Sequence, residues 1–228
     1  MASTLSYIDS FVHSGTPHHI VTADASMIVM AHKDSHLHSI ISKADLITPD
    51  SAGILWGTRQ MGASLGSRVS GVEIVERLCE LSAKKGYRIF FFGAGPGVAK
   101  LASERMQEKY LDCKIVGTRN GFFQDSDSDE IVDLIREARP DILCVALGIP
   151  KQEKWISNFK DRLGVPVLIG VGGTFDVLSG TTRRAPLVFQ KARLEWLWRV
   201  ISNPRKISKI MLLPTFVQMV LQSKRVRI

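Results

Sequence analysis

The chain has 228 residues, 45% of them hydrophobic and 7% aromatic, with a formal net charge of +8. That length suits one domain with one good core, and the composition is that of an ordinary globular protein. No run reaches about 18 consecutive apolar residues, which argues against a spanning helix. The opening MASTLSYIDSFVHSG lacks the basic-then-apolar pattern of a secretory signal. Cys79, Cys113 and Cys144 are scattered without zinc spacing, so reduced, buried thiols in a cytosolic protein are expected.

The charge is unevenly placed. Residues 181–228 hold 11 Lys/Arg and a single acid, Glu195, whereas the preceding 180 carry 19 basic and 21 acidic side chains. A near-neutral body with a basic tail points the tail at an anionic surface: membrane, nucleic acid or polyphosphate. A basic helix that is merely solvated is the plainer reading.

In chain order, HHIVTAD (18–24) reads as a strand, residues 26–42 as a helix and LITPD (46–50) as a short strand ending on an acid. SAGILWGTRQMG suits a helix. Residues 71–86 place Val72, Val75, Leu78 and Cys79 at helical spacing, with Gly86 as the stop. YRIFFFG (87–93) is a near-continuous apolar strand, and 114–118, 141–147 and 165–171 repeat that pattern. Helices at about 97–110, 127–139 and 151–161 separate them. The alternation predicts a Rossmann-like three-layer α/β fold with a largely parallel sheet, spanning residues 1–180.

Residues 181–228 carry no strand signal and form a basic helical C-terminal appendage. Leu194, Leu197, Trp198 and Ile201 mark one face of an amphipathic helix that Pro204 ends. A second helix follows, with Pro214 expected to disturb it. Such helices suit either a membrane interface or packing on the α/β body.

Ligands of open α/β sheets bind beyond the carboxyl ends of the strands. The polar residues there are Thr22 and Asp24 after the first strand, Asp50 after the second, and Gly93 to Gly97 after the third. Lys151 and Gln152 follow ALGIP, while Gly172, Gly173, Thr174 and Asp176 follow VPVLIGV. GAGPG departs from the G-x-G-x-x-G spacing of dinucleotide folds. Gly93 and Gly95 still allow a diphosphate to approach backbone N–H groups, although a purely structural corner accounts for them equally. Asp50 suits a general base or a helix N-cap. Gln152, near a helix start, is placed to reach a sugar hydroxyl. Asp176 suits a ribose contact or a short-helix cap. Lys151, Glu153 and Lys154 read as a solvated face, and the six histidines, all between His13 and His38, as surface polarity. No metal motif stands at a strand end; DSDSDE (125–130) reads as a polar loop.

The linked motifs TPDSAG, RVSG, FFGAGPGVA, IVGTRNGFF, PDILCVALGIPKQEKWI, IGVGGTFDVLSGTTRRAP and LEWLWRVISNPRK resemble, in order and spacing, the WecG/TagA/CpsF glycosyltransferase family over residues 18 to 215. The resemblance implies inverting, metal-independent transfer from a UDP-sugar to a polyprenyl-diphosphate-linked acceptor at the cytoplasmic face of the plasma membrane. No cofactor or nucleic-acid partner is implied, and the oligomeric state, monomer or homo-oligomer, stays open. Asp50 matches the family's general base, Thr22 its essential threonine and Arg68 a motif arginine at the active site. Gln152 and Asp176 match residues around the UDP-sugar. Arg199 matches an appendage arginine that meets diphosphate charge, with Lys206 and Lys209 as further matches. Asp24 stands where the family pattern has Asn, and Ser51 where it has Gly. The chain also begins without the family's usual opening β-strand.

Two rivals predict different behaviour. An NAD-dependent oxidoreductase fails on glycine spacing and on the missing ribose-binding acid. A nucleic-acid binder using the basic tail predicts salt-dependent binding and no need for Asp50.

Overall fold

The apolar runs of the first 180 residues assemble into one six-stranded, all-parallel sheet in the order β2-β1-β6-β5-β3-β4. The computed structural model describes residues 1–182, 188–189 and 211–226. The strands are β1 (His18–Ala23), β2 (Leu46–Pro49), β3 (Arg88–Gly93), β4 (Lys114–Arg119), β5 (Ile142–Ala146) and β6 (Val167–Gly170). The central β5 and β6 are buried along their whole length, which is why their sequences show no polar alternation.

Helices cover both faces. On one lie α1 (Ala2–His13), α5 (Gly71–Lys85), α6 (Val98–Lys109) and α9 (Thr174–Leu178). Their core includes Phe91, stacked on Phe175 with ring centroids 4.5 Å apart. On the other face lie α3 (Ser35–Ser42), α7 (Ser128–Glu137) and α8 (Lys151–Leu163), where Phe92 packs against Trp155. The three-layer α/β expectation is met.

Three local expectations are corrected. The helix expected over 26–42 is two helices, α2 (Ala25–Lys33) and α3. Asp34 turns the chain between them in an extended conformation, and its Oδ1 accepts from Leu37 N to cap α3. Helix α1 has no counterpart in the sequence reading, although Leu5, Ile8, Phe11 and Val12 sit at helical spacing and pack on the core. Asp9 ties it down, accepting from Lys85 Nζ and from the Tyr87 hydroxyl at 2.5 Å each. Pro214 opens rather than disturbs the last helix, α10 (Leu213–Val226). It stands in the first turn, where a missing N–H costs no hydrogen bond.

Helix α10 packs on α2 and on α4 (Ala52–Gln60) through buried Phe216 and Val220. Gly57 makes the approach possible: a Cβ there would lie 3.0 Å from Phe216 Cζ and 3.2 Å from Val220 Cγ2. Within the appendage, this described helix therefore packs on the α/β body. The remaining appendage expectations, including the Leu194–Ile201 face with Trp198 and the break at Pro204, lie outside the described residues.

Candidate active site at the carboxyl edge of the sheet

Every strand being parallel, all six carboxyl ends open on one edge. The connection leaving β3 runs outward to β4, whereas the one leaving β5 runs inward to β6, so the two diverge. Divergence of this kind creates a crevice beyond the sheet, with the glycine turn on its rim. Gly93 has φ +124°, and a Cβ there would lie 2.4 Å from the Ala146 carbonyl oxygen. Ala94 N donates to that same oxygen at 2.8 Å. Packing against β5 thus demands Gly93. It does not demand Gly95, whose Cβ would make only ordinary contact with Val98 at 3.4 Å. Above Gly97, Gly148 and Gly172, all at positive φ, a Cβ meets no described atom within 4 Å, so backbone is open to approach there.

Asp50 follows β2, and its N–H donates to Ala23 O at 2.8 Å. The capping role that competes with catalysis falls to its neighbour: Ser51 Oγ accepts from Ile54 N at 3.3 Å at the start of α4. Arg68 reaches back to the same corner, its Nε donating to Asp50 O at 2.9 Å and lying 3.8 Å from Asp50 Oδ1. Both side chains keep partial solvent access, about a quarter of each surface (27% for Arg68, 21% for Asp50).

Asp24 is a helix cap. Its Oδ1 accepts from Met27 N at 2.8 Å and from Ser26 Oγ at 2.6 Å. Asparagine can make the same cap, so the aspartate standing in place of the family's Asn retains this local structure. Thr22 lies one strand in, buried, with Oγ1–H donated to Gly170 O at 2.6 Å. Beside it in register stands Thr48, also buried, whose Oγ1 has no hydrogen-bond partner among the described residues.

Gln152 departs most from expectation. It is buried, and its amide does not open into the crevice. Oε1 accepts from Gly148 N at 3.1 Å and from Gly172 N at 3.0 Å, while Nε2 donates to Glu153 Oε1 at 2.8 Å. The amide ties two loops together, which places it behind the site. Glu153 is corrected from solvated to fully buried, and His19 from surface polarity to buried, with Nε2 at 2.8 Å from Glu153 Oε2. Asp176 lies in the first turn of α9, which Gly173 caps without a side-chain bond. Arg199, Lys206 and Lys209 lie outside the described residues.

Phe122 was missed by sequence reasoning. It is exposed (70%) on the loop after β4, which Gly121 holds against the glycine turn by donating N–H to Ala94 O at 2.8 Å. Lys151 is close by, its Nζ 4.1 Å from the centroid of the Phe123 ring. The aromatic pair within IVGTRNGFF was the available signal.

The three cysteines are free and buried, and burial pushes the Cys144 thiol well up. Among the described residues no group of three His, Cys, Asp or Glu is placed to hold a metal ion, and no helix is long and apolar enough to cross a membrane. A shallow groove lined by Met1, Glu73, Glu76, Arg77, Lys109 and Tyr110 lies among α1, α5 and α6, on their outer surface.

Comparison with known proteins agrees with this arrangement. The family model described as "Glycosyl transferase WecG/TagA/CpsF family" matches residues 1–228. The chain is 34% identical over 206 residues to a Bacillus subtilis protein, covering 90% of this chain and 80% of the relative. It is 33% identical over the same length to one from Bacillus spizizenii, covering 90% and 79%. A Staphylococcus aureus relative is 27% identical, covering 90% and 80%. All three are named N-acetylglucosaminyldiphosphoundecaprenol N-acetyl-beta-D-mannosaminyltransferase. A parallel α/β sheet with its polar loops on one edge, matched along its whole length by one family of enzymes, leaves one assignment: the chain belongs to the WecG/TagA/CpsF family of glycosyltransferases.

Proposed function

We propose that this glycosyltransferase moves a hexose or hexosamine from a UDP-sugar to a polyprenyl-diphosphate-linked sugar acceptor, with inversion and without a metal, in the synthesis of a cell-surface polysaccharide or teichoic acid. N-acetylmannosamine is the donor sugar that the relatives' names favour, and N-acetylglucosamine-diphosphoundecaprenol the acceptor. The observation that carries the reading is the corner of Asp50 and Arg68. Its carboxylate sits at the carboxyl edge, a serine has taken over helix capping, and an arginine lies beside it.

In this mechanism Asp50 takes the proton from the acceptor hydroxyl as its oxygen attacks the anomeric carbon. The bond from that carbon to the UDP oxygen breaks on the opposite face, and UDP leaves with the electron pair. Backbone N–H groups at Gly95 and Gly97, and at Gly173, are the donors for the diphosphate. Phe122 offers an exposed ring on which the uracil stacks. Thr22 and Asp24 hold the chain beside the sugar through their bonds to Gly170 and α2, and Asp176 flanks the nucleotide. Arg68 shares the developing charge with Arg199, Lys206 and Lys209 of the appendage.

The division of labour follows: residues 1–180 are the catalytic body, and residues 181–228 dock on an anionic, cytoplasmic membrane face while completing the site.

The test is incubation with a panel of UDP-sugars and lipid-diphosphate acceptors, read by mass spectrometry with and without EDTA. One donor consumed with the anomeric configuration inverted, at a rate EDTA leaves unchanged, is expected. Strict metal dependence removes the metal-independent mechanism, and transfer to no lipid-linked acceptor removes the acceptor class.

A further inference from the structure

A chain of buried polar groups runs from β1 to two of the loops at the carboxyl edge, and the transfer mechanism assigns it no step. His19 Nε2 lies 2.8 Å from Glu153 Oε2, and Glu153 Oε1 accepts from Gln152 Nε2 at 2.8 Å. Gln152 Oε1 then accepts from Gly148 N at 3.1 Å and Gly172 N at 3.0 Å. Those last two bonds set the direction of the rest. Backbone N–H groups only donate, so the Gln152 oxygen must face them and its NH2 must face Glu153. Glu153 therefore has to accept at Oε1, and its Oε2 is bridged to His19 Nε2.

The crowding is tight. A Cβ on Gly170 would lie 2.4 Å from Glu153 Oε1 and 2.6 Å from Gln152 Nε2, so the strand gives up a side chain to make room. A core that needed only stability would be served as well by apolar side chains. What the polar chain adds is a single fixed orientation for one amide, and that amide joins the loop after β5 to the loop after β6.

We infer that His19 and Glu153 are positioning residues. They lock the Gln152 amide, which clamps the Gly148 and Gly172 loops at the separation that nucleotide binding requires. The functional half of this inference rests on the transferase reading; the clamp itself exists without any ligand.

A reciprocal exchange tests it. Gln152→Glu sets two buried carboxylates against each other and breaks the chain. Adding Glu153→Gln restores every bond: the carboxylate at position 152 accepts from both glycines and from the new amide, whose oxygen accepts from His19. Two quantities are read on each full-length variant, amide hydrogen exchange at Gly148 and Gly172 and the Kd for UDP. The single variant should exchange faster at both glycines and bind UDP about tenfold or more weaker, with the double variant recovering to within about threefold of wild type.

A folded double variant no better than the single one overturns the inference, as does a single variant whose UDP affinity is unchanged. If the single variant does not fold, the double one decides. Protected glycines and restored UDP affinity uphold the clamp, whereas unfolding or fast exchange overturns it. A wild-type protein that binds no UDP while its glycines stay protected sinks the transferase reading and the clamp's functional half together. The same protein with both glycines exchanging freely sinks the clamp itself.

Discussion

Arg68 holds Asp50 by its backbone as well as its charge: the guanidinium Nε donates to the Asp50 carbonyl at 2.9 Å and sits 3.8 Å from Oδ1. One arginine thus sets the height of the loop that carries the carboxylate and supplies a positive charge beside it. Asp50→Asn keeps the size and the backbone bond but cannot take a proton. The expected loss in kcat is about 10²–10⁴-fold, with UDP affinity little changed. Near-normal turnover in a steady-state transfer assay would remove Asp50 as the base. Arg68→Lys, which retains charge and loses the Nε bond, should lower kcat less than Asp50→Asn does.

Thr48 and Thr22 face each other across β1 and β2 with opposite hydrogen-bonding fortunes. The Thr22 hydroxyl donates to Gly170 O, while Thr48 Oγ1 is buried without a partner among the described residues. Thr22→Val should cost about 1 kcal/mol of stability through the lost hydrogen bond. Thr48→Val, which removes an unsatisfied group at constant shape, should be neutral or stabilising. Urea denaturation of both variants gives the comparison, and an equal cost at the two positions would contradict the assignment.

Docking of α10 depends on the glycine at position 57. Gly57→Leu puts a branched side chain where Phe216 and Val220 now lie, so α10 should detach while the sheet stays folded. Phe216→Ala should weaken the same contact by about 3 kcal/mol. Hydrogen exchange over residues 213–226 reads the release directly. If the appendage completes the site, transfer falls in step with it, and deletion of residues 181–228 removes both membrane association and activity.

Acid should loosen the start of β1. Burial works to raise the Asp45 carboxyl, but the His19 N–H and the His18 imidazole outweigh it and hold the carboxyl below its ordinary value of 3.8. A depressed folded-state value means that the stabilisation is fully present above the unfolded value. It is lost as pH falls through the folded one. Wild type should therefore lose stability on acidification below about pH 4, and Asp45→Asn should be less stable at pH 7 with a flatter acid limb. Parallel acid limbs for the two proteins would refute the linkage.

Much of the fold was legible because the parallel strands are covered on both faces. Runs such as YRIFFFG and DILCVAL must be apolar throughout, and glycines such as Gly86 must end the helices between them. Asp50, Thr22 and Arg68 were legible as residues at strand ends and in linked motifs. The burial of His19 and Glu153 was not, since a carboxylate among the lysines of KQEKW looks solvated until a partner 134 positions away is brought beside it. Nor was the choice of Ser51 over Asp50 as the cap, because adjacent residues of equal capping propensity are separated only by backbone dihedrals.

The sequence by itself determined the layer architecture, the edge at which the polar loops gather and the family of the enzyme, because these depend on periodicity and on short motifs read along the chain. Tertiary structure alone decided which polar groups face the crevice and which brace it from behind. Hydrogen-bond partnership is a matter of distance in space, and linear order carries no record of it.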